Sequence, residues 1–176
     1  MGYPSVFLDR DGTIVEFVHY LVNEEDLRIP REVLIGLKDL AARNFKLIVV
    51  TNQSIIGRGL AEVSAVLDLT KILLRKLKDE GVTINLLLIC PHAPSQECYC
   101  RKPRVAMALF ADEVIGIDFP NSFMVGDSLS DMKFGAEMGM KTVFITRNAE
   151  QSPNANFNAK DMIQASRWII ENSSRE

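Results

Sequence analysis

Short apolar runs alternate with segments of helical period along the chain. Residues 6–9 form a strand-length run, Val6-Phe7-Leu8, that ends in acid at Asp9. Over residues 31–43, Val33, Leu34, Leu37, Leu40 and Ala41 fall on one helix face, and Pro30 suits a first helical turn. A β-rich run over 45–51 precedes a long helix over 61–80, where Val63, Val66, Leu67, Ile72, Leu73 and Leu77 share a side and Gly81 stops the helix. The pattern then predicts a strand over 84–89, a helix over 105–114, a strand over 122–125 and a helix over 129–138 closed by Gly139. A strand over 142–145 and a last helix over about 160–172 complete it, and the polar stretch 151–158 reads as a loose surface loop.

Strands that are apolar on both faces and alternate with helices predict a parallel sheet covered on both sides, an α/β, Rossmann-like three-layer sandwich. There is no internal repeat, low-complexity tract or interdomain linker, so one domain over 1–176 is expected. Sheets of this kind bind ligands at the carboxyl ends of their strands. Asp9, Thr51, Cys90 and Asp127 each lie just after a predicted strand, so the fold should gather them on one rim.

That rim is acidic. Asp9-Arg10-Asp11-Gly12 places two carboxylates two residues apart where a strand ends, on the same side of the chain, and Gly12 permits the sharp turn that exposes them. Asp127 and Asp131 follow another strand, one helical turn apart. Four converging carboxylates repel one another unless a cation joins them. A hard divalent ion with oxygen ligands resolves the repulsion, and Mg²⁺ with phosphate is its usual setting. Thr51 and Asn52 add donors at a strand end, and Lys102 adds a full positive charge. This is what phosphoryl transfer asks of a protein: positioning, charge stabilisation, a carboxylate nucleophile and a neighbouring acid.

The three cysteines all fall between Cys90 and Cys100, and an odd number cannot pair completely as disulfides. With His92 they make a complete tetrahedral zinc set, Cys90, His92, Cys98 and Cys100, in a loop over 90–100. The closed set predicts a structural Zn²⁺ that holds Arg101 and Lys102 over the rim.

Net charge is −3, with 20 basic and 23 acidic residues interspersed, and no basic block offers a nucleic-acid footprint. No apolar run approaches the ~20 residues needed to cross a bilayer. The expected protein is cytoplasmic and monomeric, with a small phosphorylated metabolite as its partner and no membrane contact.

Phe7-Leu8-Asp9-Arg10-Asp11-Gly12-Thr13-Ile14, Val49-Val50-Thr51-Asn52-Gln53, Arg101-Lys102-Pro103 and Val125-Gly126-Asp127-Ser128-Leu129-Ser130-Asp131 resemble the motifs of the haloacid dehalogenase (HAD) superfamily, in order and spacing. The resemblance implies Asp9 as nucleophile, Asp11 as general acid–base, and Thr51 and Lys102 holding the phosphoryl group. It implies Mg²⁺ on Asp9, the carbonyl of Asp11 and Asp127, with Asp131 in support.

The cysteine loop, with Thr51-Asn52-Gln53-Ser54 and Gly57-Arg58-Gly59, is similar to the family of D-glycero-D-manno-heptose 1,7-bisphosphate and histidinol-phosphate phosphatases. From that likeness Arg101 should contact the substrate, Asn52, Gln53 and Ser54 should line its pocket, and His19 and Tyr20 should reach it from a flap. A sugar bisphosphate is the favoured substrate. Histidinol phosphate, a nucleic-acid 3′-phosphate and a receiver-like phospho-accepting signalling domain are the alternatives. The stretch between Thr13 and Pro30 is too short for a cap domain, so an open site is expected. Arg104-Val105-Ala106-Met107 and Ser128 depart from the family pattern.

Overall fold

The apolar runs pair as parallel strands. In a computed structural model, which describes residues 2–146 and 151–173, these are β1 (Ser5–Leu8), β2 (Lys46–Asn52), β3 (Leu86–Cys90), β4 (Phe123–Gly126), β5 (Lys141–Ile145) and β6 (Phe157–Ala159). Their order is β3-β2-β1-β4-β5-β6, with every neighbouring pair parallel. Successive side chains point to opposite faces, so each strand feeds two cores. Val6, Leu8, Leu47 and Val49 join one buried cluster, and Phe7, Ile48, Val50 and Met124 join the other.

The helices are α1 (Arg31–Ala42), α2 (Ser54–Gly57), α3 (Val63–Asp79), α4 (Ala106–Ile115), α5 (Leu129–Glu137) and α6 (Met162–Glu171). The first face is covered by α1, α3 and α6, through Leu37, Leu73 and Ile169 among others. The second is covered by α4 and α5, through Ala108, Ala111 and Phe134. The result is the expected Rossmann-like sandwich with its buried parallel sheet.

Strand order runs outward in both directions from the β1–β4 pair, so the chains leaving β1 and β4 diverge and open a crevice at the carboxyl edge. Register holds the two sides of that crevice together, since Leu8 pairs with Val125 and the Asp9 N–H donates to the Val125 carbonyl at 3.0 Å. Residues 9–30, between β1 and α1, hold one short 3₁₀ turn at Glu24–Asp26. No helix of the described residues is long and apolar enough to cross a membrane.

The stretch 151–158 differs from the expected loose loop, because Phe157–Ala159 is the edge strand β6. Its polar neighbours hold it in place: the Asn156 Oδ1 accepts the Thr142 N–H at 2.7 Å, and the Asn158 Oδ1 accepts the Ser152 N–H at 2.8 Å. Phe157 stacks on Trp168 with ring centroids 5.1 Å apart. The last helix starts at Met162, after the cap Asp161, whose side chain accepts from the Gln164 N–H. Lys160 therefore lies outside it.

Candidate active site

Lys102 is the hub of the rim. Its ammonium is buried and makes three short contacts, to the Val50 carbonyl at 2.7 Å, Asp9 Oδ1 at 2.8 Å and Asp131 Oδ1 at 2.6 Å. The Asn52 side chain clamps the Lys102 backbone from both ends, its Oδ1 accepting the Lys102 N–H at 3.0 Å and its Nδ2 donating to the Lys102 carbonyl at 3.2 Å. Asn52 lines the cavity with its amide committed to the loop that carries the lysine.

Asp131 is fully buried in the first turn of α5, with one oxygen ion-paired and the other hydrogen-bonded. Oδ1 pairs with Lys102, and Oδ2 accepts the Ser128 N–H at 3.1 Å and its hydroxyl at 2.6 Å. This reciprocal cap explains why a serine works at 128. Gly126 is required here by close approach: a Cβ on it would lie 2.4 Å from Asp131 Cγ and Oδ2. Gly126→Ala should therefore displace Asp131 and, through it, Lys102. A misplacement of about 1 Å costs on the order of 10²-fold in rate. We expect kcat to fall by about that factor with the circular dichroism spectrum unchanged; an unaltered kcat would show the contact to be slack.

The carboxylates Asp9, Asp127 and Asp131 bring oxygens within 4.8 Å of one another. Burial pushes the Asp9 carboxyl up to about 7; Lys102 opposes the rise, and the charges of Asp131 and Asp11 add to it. Burial also pulls against the Lys102 ammonium, but the charges and hydrogen bonds of Asp131 and Asp9 outweigh it and hold that group above the ordinary lysine range. Three negative charges against one positive leave an excess that a divalent cation neutralises, and oxygen donors of this kind suit Mg²⁺. The Asp11 side chain is not in that group, and its oxygens are engaged by Arg10 and Gln53.

These residues open on a cavity of about 330 Å³ lined by Asp9, Asp127, His19, Tyr20, Thr51, Ser54 and Arg101 among others, whereas Cys90, expected on the same rim, turns instead into the cysteine cluster. Ser54 starts the single turn α2, which the sequence pattern did not reveal. His19 and Tyr20 pack ring to ring at 4.0 Å, with Tyr20 at φ 56°, a left-handed backbone seldom adopted by a bulky residue. Arg10 was not anticipated. It lines the cavity but is almost wholly buried, and a basic residue between two strand-end acids is its only mark in the sequence.

Beside the rim, the donors of Cys90, His92, Cys98 and Cys100 converge, with Sγ–Sγ separations of 3.2, 3.5 and 3.7 Å and His92 Nδ1 3.2 Å from Cys100 Sγ. Zn–S bonds of ~2.3 Å give tetrahedral edges of about 3.8 Å, so the set fits a zinc ion. Burial, helped by a hydrogen bond with Cys100, pushes the Cys90 thiol up to about 12, so a thiolate there needs a cation beside it. None of the three cysteines is in a disulfide.

A parallel sheet with strand order 3-2-1-4-5-6, carrying a nest of carboxylates and a buried lysine where β1 and β4 part, defines a HAD-like phosphatase. Residues 99–166 match the family model for HAD-hydrolase-like proteins. The chain is 36% identical over 172 residues to the D-glycero-beta-D-manno-heptose-1,7-bisphosphate 7-phosphatase of Photorhabdus laumondii subsp. laumondii, covering 90% of this chain and 92% of the relative. It is 34% identical to the same organism's D-glycero-alpha-D-manno-heptose-1,7-bisphosphate 7-phosphatase, covering 87% of each. In fold it resembles the D,D-heptose 1,7-bisphosphate phosphatase from B. bronchiseptica, crystallised with magnesium and phosphate: TM-score 0.86 and 23% identity, over 97% of this chain and 99% of that one. The chain belongs to the D-glycero-D-manno-heptose-1,7-bisphosphate 7-phosphatase family.

Proposed function

We propose that the protein removes one phosphate from D-glycero-D-manno-heptose 1,7-bisphosphate by way of an aspartyl-phosphate on Asp9. The observation that carries this reading is the Asp9 carboxylate, held 2.8 Å from the Lys102 ammonium at the open end of β1. Its relatives' names supply the substrate.

In the first step Asp9 attacks phosphorus, the bond from phosphorus to the sugar oxygen breaks, and Asp11 gives its proton to that oxygen. In the second, Asp11 takes a proton from the water that attacks phosphorus, and the Asp9–phosphorus bond breaks to release phosphate. Thr51 and Lys102 hold the phosphoryl oxygens, and Arg101, Ser54, His19 and Tyr20 face the rest of the substrate. Asp9, the Asp11 carbonyl and Asp127 would hold Mg²⁺, with Asp131 in support; the ion neutralises charge on the transferring group. The cysteine set would hold a structural Zn²⁺.

In this reading residues 1–176 act as one cytoplasmic monomeric domain, in a compartment that keeps the three thiols reduced. A phosphate-release screen with Mg²⁺ tests it, over both anomers of the heptose bisphosphate, histidinol phosphate and 3′-phosphorylated oligonucleotides. The heptose bisphosphate should have the highest kcat/KM; a preference for either other class would overturn the assignment.

A further inference from the structure

Arg10 carries a charge yet is only 2% exposed, and nothing in the chemistry above uses it. Taking a guanidinium out of water is costly unless it is paired and hydrogen-bonded. Its partner is the carboxylate of the adjacent Asp11: Nε donates to Oδ1 at 3.0 Å and Nη2 to Oδ2 at 2.9 Å. Gln53, 5% exposed, closes the arrangement. Its Oε1 accepts from Arg10 Nη2 at 2.9 Å, and its Nε2 donates to Asp11 Oδ2 at 2.8 Å and to Thr51 Oγ1 at 2.6 Å. A primary amide has two hydrogens, so the Gln53 nitrogen has none left for a substrate.

We propose that Arg10 and Gln53 are positioning residues that fix the Asp11 carboxyl in the orientation from which it protonates the leaving oxygen, an inference that rests on the reaction proposed above. The lone pairs of Asp11 show how. Two donors occupy Oδ2 and one occupies Oδ1, which leaves one site, on Oδ1, for the proton. The Asp11 side chain keeps 22% exposure, so that site is reachable from the cavity. The planar fork of an arginine matches a carboxylate in two bonds at once, which fixes its plane as well as its place. Because Gln53 also holds the Thr51 hydroxyl, the proton donor and one holder of the phosphoryl group share a single support. Gln53 thus lines the cavity and acts through Asp11 and Thr51.

The dependence of rate on the leaving group tests this. An aryl phosphate such as p-nitrophenyl phosphate expels a stable phenolate without protonation, whereas a sugar phosphate must expel an alkoxide. Arg10→Gln, Arg10→Lys and Gln53→Met would be compared with the intact chain in Mg²⁺ by single-turnover release of each leaving group. A loss of general-acid catalysis costs on the order of 10²-fold or more. Sugar-phosphate cleavage should fall about a hundredfold, and aryl-phosphate cleavage much less. Arg10→Lys should not rescue it, since lysine keeps the charge but not the fork. Equal losses on both substrates in a folded Gln53→Met protein, or full rescue by lysine, would overturn the positioning role. Aryl-phosphate cleavage that survives Asp9→Asn would instead overturn the underlying reaction, so the two failures are separable. Should the Arg10 variants fail to fold, Gln53→Met decides the matter alone.

Discussion

Asp9→Asn is expected to abolish turnover while making the metal-free protein more stable at neutral pH. On the proposed reaction the loss of rate follows from removing the nucleophile: asparagine keeps the shape but cannot form the acyl phosphate, and deleting a nucleophile typically costs at least ~10⁴ in kcat. The gain in stability follows from the raised carboxyl. Asp9 shifts from 3.8 to about 7 on folding, so the folded chain binds this proton more tightly than the unfolded chain does. Folding is thus favoured fully below the unfolded value, and the advantage is lost as pH rises from about 4 through about 7. At 1.36 kcal/mol per unit, the ionised carboxylate costs up to about 4 kcal/mol above pH 7. Asparagine carries no such charge, and Lys102 keeps Asp131 as its partner. Thermal melts in a chelator should show the variant's advantage widening from pH 5 to pH 8. A wild-type protein that gains stability over that range would contradict the burial argument.

The same proton governs the metal. With Asp9 as a ligand, as proposed, Mg²⁺ needs the carboxylate, so its binding should displace the Asp9 proton below about pH 7. Affinity should therefore tighten by up to about tenfold per pH unit between pH 5 and 7 and then level off. Titration calorimetry in buffers of different ionisation enthalpy would show proton release at pH 6 and little at pH 8. The acids of the rim thus oppose the bare fold and favour the loaded enzyme.

The rim was legible in the sequence because the sheet is apolar on both faces. Runs such as Lys46–Asn52 read as buried strands, and the first polar residue beyond each marks the carboxyl edge where a parallel sheet binds. The cysteine loop was legible from spacing alone. What could not be read was which polar side chains are spent on one another. Asn52, Gln53 and Arg10 look alike as pocket residues in one dimension, but the first grips the Lys102 backbone and the other two grip Asp11. Those partners lie 50, 42 and 1 positions away, and the packing of β2 between β1 and β3 brings the distant ones together. The edge strand β6 escaped for a related reason, since its hold on β5 is made by backbone groups and asparagine side chains rather than an apolar run.

Cys98→Ala should release zinc and lower activity while leaving the sandwich folded. The loop has few anchors apart from its metal set. Gln53 and Gly57 N–H groups hold the carbonyls of Cys90 and Pro91, each at 2.8 Å, at its start. At its far end Arg101 reaches the His92 carbonyl at 3.2 Å, and Arg104 reaches the Cys98 carbonyl. Removing one thiolate opens a closed tetrahedral site, and small zinc modules draw ~10–16 kcal/mol of apparent binding energy from such sites. Here much of the fold stands without it: the larger core cluster, built on Leu8, Leu47, Leu73 and Ile169, includes no cysteine. The damage should instead reach the rim through Arg101 and Lys102, which follow Cys100 directly. Lys102 is steadied independently by Asn52, so its displacement should be partial, and a fall of about 10–100-fold in kcat/KM is expected, the range typical when support of a site is lost. Elemental analysis should find about one zinc per chain in the wild type and none in the variant, with helical ellipticity retained. Complete unfolding of Cys98→Ala would mean that the metal organises the sheet itself, and full activity without zinc would detach the loop from catalysis.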